Sequence, residues 1–110
     1  MKSAAHAYEV ENREVIAETA TLRVVVLTLA PGQSVPWHYH SEVTDTFLCL
    51  EGPMVVTTQG GRAKTELAVG ESHAVPPRTA HHVSGKDGGR CKFAIVQGIG
   101  AYDFVPVKGE

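Results

Sequence analysis

The chain has 110 residues, 43% of them hydrophobic and 20% charged, which fits one globular domain over 1–110 and leaves no room for a second. Ten basic residues are scattered among twelve acidic ones for a formal net charge of −2, which argues against nucleic acid, since phosphate binding needs a basic patch. No apolar run suits a signal peptide or a membrane span, so a cytoplasmic protein with no membrane partner is expected. Cys49 and Cys91 are far apart and each sits in an apolar run, as buried reduced thiols do; a disulfide framework would need more cysteines.

In chain order, Glu14–Glu18 can open as helix or strand. The run Thr21–Leu29 is rich in β-branched residues, ends at Pro31-Gly32 and predicts a buried strand. Pro36 suits a strand start or an edge. A second apolar strand is predicted over Asp45–Glu51, stopped by Gly52-Pro53. Met54–Gln59 and Arg62–Leu67 flank Gly60-Gly61, a two-residue hairpin signal. Ser72–Val75 is closed by Pro76-Pro77, and a short strand over His81–Ser84 precedes a glycine-rich loop. Cys91–Gln97 alternates as a strand, and the tail from Tyr102 to Val107 carries Pro106 and belongs at an edge. Short strands joined by Gly/Pro turns, with no helical period, predict an all-β sandwich or barrel.

The chemistry concentrates in Trp37-His38-Tyr39-His40 and the acidic stretch after it. His38 and His40 are two apart, so an extended backbone sends both imidazoles to one face. Asp45 heads the next strand, and a third imidazole is available at His81 or His82, neighbours that point opposite ways. Two imidazoles from one strand, a carboxylate from the next and a histidine from a later one make a mononuclear metal site if the fold brings them together.

These residues resemble the cupin family, small jelly-roll barrels with two motifs flanking a variable hairpin. Its first motif matches residues 32–52: Gly32, five residues, His38-Tyr39-His40, four residues, Asp45, six residues, Gly52. Asp45 stands where the family has Glu. The second matches residues 70–85: Gly70, five residues, Pro76-Pro77-Arg78, two residues, His81, three residues, Gly85. Arg78 replaces a family glycine and Gly85 an asparagine.

The resemblance implies a single-domain cupin-type jelly-roll β-barrel holding one divalent transition metal per chain inside one end. The ligands it implies are His38, His40, Asp45 and His81. Imidazole and carboxylate suit Fe, Mn, Ni, Zn or Cu alike. Asp is one methylene shorter than Glu, so Asp45 can bind directly, act through water, or leave a three-histidine site; Glu42 in the connecting loop is either a substitute carboxylate or a solvated loop acid. Asp45 and His73 are the candidate catalytic groups, and alternation places Phe47, Cys49 and Glu51 on the Asp45 face. Arg78 can meet an anion at the cavity mouth.

The expected function is a metal-dependent enzyme of dioxygenase, decarboxylase, isomerase or lyase type acting on a small oxygenated metabolite. The alternative is a non-catalytic, metal-dependent sugar- or metabolite-binding protein. A homodimer is expected as well, because Leu48, Leu50, Val24 and Val26 fall on strand faces turned away from the barrel interior.

Overall fold

The computed structural model describes residues 8–107. Among these residues there are ten strands: β1 Asn12–Glu18, β2 Leu22–Leu29, β3 Ser34–Tyr39, β4 Thr44–Glu51, β5 Met54–Thr58, β6 Ala63–Leu67, β7 Ser72–Val75, β8 His81–Gly85, β9 Cys91–Gly98 and β10 Val105–Pro106. They form two five-stranded antiparallel sheets, in the orders β1-β2-β9-β4-β7 and β10-β3-β8-β5-β6. From β2 to β5 the chain changes sheet at every step, and it does so again from β6 to β10. That alternation winds a double-stranded jelly roll. Among the described residues no helix is long and apolar enough to cross a membrane.

The inner faces interdigitate in one core, with Val25, Leu27, Phe47 and Phe93 from the first sheet against Val35, Met54, Val56 and Val83 from the second. Glu14–Glu18, ambiguous in sequence, is strand because β1 pairs along β2 through a bulge between Val15 and Ala17. Pro36 lies inside β3, where the ladder to β8 breaks between Val35 and His38. Its missing N–H therefore costs no ladder bond.

Three details depart from the sequence pattern. The β5–β6 hairpin turns through Gln59, Gly60 and Gly61 in a short 3-10 segment, with φ of 55°, 64° and 96°. Three left-handed residues do the work expected of two. Glu51 leaves the Asp45 face because a register shift between Cys49 and Glu51 turns it outward, where it meets Arg90 and Lys92. Cys49 is fully buried in the apolar core and does not line the cavity described below; a Cβ on Gly52 would lie 2.6 Å from its Sγ.

Both departures from the second motif have visible consequences. Arg78 adopts φ 61°, a conformation glycine takes without strain, and its amide donates to the His40 carbonyl at 2.7 Å. At Gly85 a Cβ would fall 1.9 Å from the Gly89 carbonyl oxygen, so no side chain fits without moving that loop.

Candidate metal centre

His38 and His81 are direct partners in the β3–β8 ladder, so their imidazoles leave one face together, with ring centroids 4.3 Å apart. His40 follows β3 by one residue and returns to the same face. Asp45 comes from the opposite sheet, where β4 pairs it with Val75 and Gln97. The site thus joins the two layers: three imidazoles from one and a carboxylate from the other. All four residues are buried, and their potential ligand atoms lie within 4.8 Å of one another.

The backbone orients each ring. His38 Nδ1 faces the Pro36 carbonyl at 2.7 Å, His40 Nδ1 the Asp103 carbonyl at 2.5 Å and His81 Nδ1 the Thr79 carbonyl at 2.8 Å. A carbonyl oxygen only accepts, so every Nδ1 must carry the proton and donate it. The neutral rings then present Nε2 lone pairs. Two of these, from His40 and His81, sit 2.8 and 2.9 Å from Asp45 Oδ2. Lone pairs facing a carboxylate oxygen repel unless a cation, proton or metal, lies among them. Carbonyl-anchored Nδ1 groups with converging Nε2 atoms are the arrangement that metal-ligating histidines use.

Ionisation follows the same geometry. Burial, with His81 alongside, lowers His38 to about 3, so it stays neutral and able to ligate at neutral pH. Burial also opposes the charged form of His40, but the Asp45 carboxylate outweighs it and leaves that pKa raised. Burial likewise disfavours the Asp45 carboxylate, yet positive charge among the His40 and His81 Nε2 atoms that face Oδ2, as a proton donated from an Nε2, holds its pKa well below the usual range.

Sequence reasoning missed the supporting residues. Gln97 donates through Nε2 to Asp45 Oδ1 at 3.1 Å and accepts from Arg23 Nη1 at 2.8 Å. This fixes the carboxylate and leaves Oδ2 facing the imidazoles. The segment after β9 closes one side: Phe104 stacks on His38 at 4.4 Å and Tyr102 lies 5.3 Å from His40. Asp103 between them pins Ser41 through its N–H at 2.8 Å and its hydroxyl at 2.6 Å. The only sequence signal was the alternation of Tyr102, Asp103 and Phe104 beside Pro106.

The other candidates lie elsewhere. His73 pairs with Phe47 on β7 and belongs neither to the ligand group nor to the cavity lining. His82 is half-buried on the other face of β8, 5.8 Å from Trp37. Glu42 is exposed and accepts from the Ala101 amide at 3.4 Å. Arg78 is exposed and does not line the cavity.

Solved structures resemble this one closely. A cupin superfamily protein from Desulfitobacterium hafniense is 25% identical with a TM-score of 0.71, the match covering 80% of this chain and 76% of that one. A conserved protein with a double-stranded β-helix domain from Klebsiella pneumoniae is 26% identical with a TM-score of 0.76, covering 89% of this chain and 80% of that one. A cupin-2 domain protein from Shewanella frigidimarina shares the fold at 20% identity and a TM-score of 0.67, with 82% of each chain covered. No curated protein sequence matches the chain. The Cupin_2 model, the cupin domain, matches residues 25–97, a stretch that contains all four clustered residues, and the chain belongs to that family.

Proposed function

We propose that this cupin holds one divalent transition metal per chain through Nε2 of His38, His40 and His81 and a carboxylate oxygen of Asp45, and uses it as a metal-dependent enzyme on a small oxygenated substrate. The observation that carries the reading is the convergence of three carbonyl-anchored imidazoles and a buried carboxylate within 4.8 Å. Three or four protein ligands leave an ion that prefers six with open positions, unlike a closed tetrahedral structural site. When bound, such an ion supplies Lewis-acid or redox chemistry toward an oxygen donor. The chain's own residues supply the rest. Gln97 holds the carboxylate, and the Phe104 and Tyr102 rings exclude water from the imidazoles. Burial pushes the Tyr102 phenol up to about 12, so it remains protonated at neutral pH.

The test loads the protein in turn with Fe(II), Mn(II), Ni(II) and Zn(II) and presents small diketones, hydroxy acids, thiols and sugar acids. Metal-dependent turnover that disappears when the metal is chelated is expected. Tight metal-dependent binding without turnover under any metal would instead leave a metabolite-binding protein.

Assembly as a homodimer belongs to the same reading. On the outer face of the first sheet Val24 pairs with Val96 and Val26 with Ala94, and Ala94 pairs in turn with Leu48. Leu48, Leu50 and Val96 are 39%, 37% and 42% exposed. A contiguous apolar face of this kind calls for cover, and a second copy can supply about 800 Å² per partner. Light scattering is expected to give the dimer mass, and Val96→Glu, which places a charge at the centre of this face, the monomer mass. A monomeric wild-type protein at micromolar concentration would refute the dimer.

A further inference from the structure

Two arginines share the narrow cavity with the histidine–aspartate group. Arg23 has partners: Nη1 donates to Gln97, Nε lies 3.5 Å from Glu18, and its guanidinium covers the Tyr102 ring at 4.5 Å. Arg13 is different. It pairs with the core residue Leu27 in the β1–β2 ladder, so its side chain faces inward, and among the described residues its Nη2 is buried with no hydrogen-bond partner. The Tyr8 ring lies 5.1 Å from its Cζ. An aromatic π-face attracts the cation but offers no oxygen acceptor, so Nη2 keeps no hydrogen-bond partner there. Buried donors rarely go unpaired, least of all charged ones, so an orphan lining a cavity points to a missing acceptor.

Charge identifies the acceptor. A divalent ion with three neutral imidazoles and one carboxylate leaves the centre net positive, and Arg13 adds to it in the same low-dielectric space. A carboxylate oxygen suits one unpartnered guanidinium nitrogen in a narrow cavity; a phosphate would need more donors. We propose that Arg13 is the anion-recognition residue of this site and that the substrate is a small carboxylate bearing a second oxygen donor, its carboxylate on Arg13 Nη2 and its second oxygen toward the metal centre. This rests on the metal-site reading and narrows its substrate class.

Calorimetry with glycolate, 3-hydroxypropionate and 4-hydroxybutyrate scans the spacing between the two oxygens, and the matching amides remove only the charge. With zinc-loaded protein, at least one acid should bind and its amide should not. Arg13→Met should weaken that acid by about 10- to 100-fold with unchanged zinc content and no loss of thermal stability in the ligand-free protein, because it deletes an unpaired buried donor. A purely structural Arg13 would instead show a lowered melting temperature and intact acid binding. If Arg13→Met fails to fold, Arg13→Gln takes its place with the same outcomes. Equal binding of acid and amide, wild-type affinity in the variant, or no binding of any acid would overturn the proposal. Wild-type protein that retains no zinc would refute the metal reading alone. The chelator-treated protein then decides the subsite: Arg13-dependent acid binding supports it, and none overturns it.

Discussion

Replacing His40 with alanine should weaken metal binding by about 100-fold or more, since a four-ligand site distributes its binding free energy at about 3 kcal/mol per ligand. The imidazole is 2% exposed, its Nδ1 is held by the Asp103 carbonyl and its Nε2 faces Asp45. Removing it therefore also strands a carbonyl and a carboxylate. Wild-type protein with the metal at about a hundred times its dissociation constant gains about 2.7 kcal/mol, or roughly 10 °C in a domain of this size. The variant should gain almost nothing. Thermal melts of both proteins with and without Zn(II), alongside elemental analysis, check this; full occupancy in His40→Ala would remove His40 from the ligand set.

The pH dependence of that gain carries its own sign. In the metal-free protein the raised pKa of His40 contributes stability below about pH 6.5 that is lost as pH rises through the higher folded value. The lowered pKa of His38 acts oppositely, costing stability as pH falls below about 6.5 toward its folded value of about 3. The metal-free protein should thus be most stable near neutrality. Binding the ion expels the proton on His40, so the stabilisation by metal should grow by about 1.4 kcal/mol per pH unit for each proton exchanged, until pH passes the raised pKa. Melts with and without metal from about pH 6 to 8 measure the slope.

The legible parts of this molecule were those governed by short-range rules. Alternation placed Phe47 inward with Asp45 and Leu48 and Leu50 outward, as the structure has them, and the spacing of His38 and His40 put both rings on one face. Between His81 and His82 the β3–β8 register decides, because it sets His81 opposite His38. What escaped depended on contacts between distant segments. Arg23 and Gln97 read as ordinary strand residues and Arg13 lay outside every predicted element; only the pairing of β1, β2, β9 and β4 carries them to the cavity. Glu51 escaped for a local reason: one bulge reverses the parity of everything beyond it. The Gly60-Gly61 pair signalled a hairpin, but not that Gln59 would join the left-handed turn.

Asp45→Asn should reduce metal affinity by about 100-fold and flatten the pH dependence of what binding remains. The shorter side chain is not out of reach: Oδ2 already lies 2.8 and 2.9 Å from two Nε2 atoms, at the point where an ion coordinated by those nitrogens needs its carboxylate. Gln97 holds Oδ1 on the other side, so the carboxylate is oriented before any ion arrives. Asparagine keeps the shape and can still meet Gln97, but it removes the negative charge that offsets a divalent ion in a buried site. It also removes the partner that raises the pKa of His40. The imidazole then enters the binding reaction less protonated, fewer protons are expelled, and the slope of the metal-induced stabilisation across neutral pH should flatten. Calorimetric titration of Zn(II) into wild type and Asp45→Asn, in buffers of different ionisation enthalpy, reads affinity and proton release together. A variant with wild-type affinity and wild-type proton release would show that Asp45 neither ligates the ion nor tunes His40, leaving a centre of three histidines.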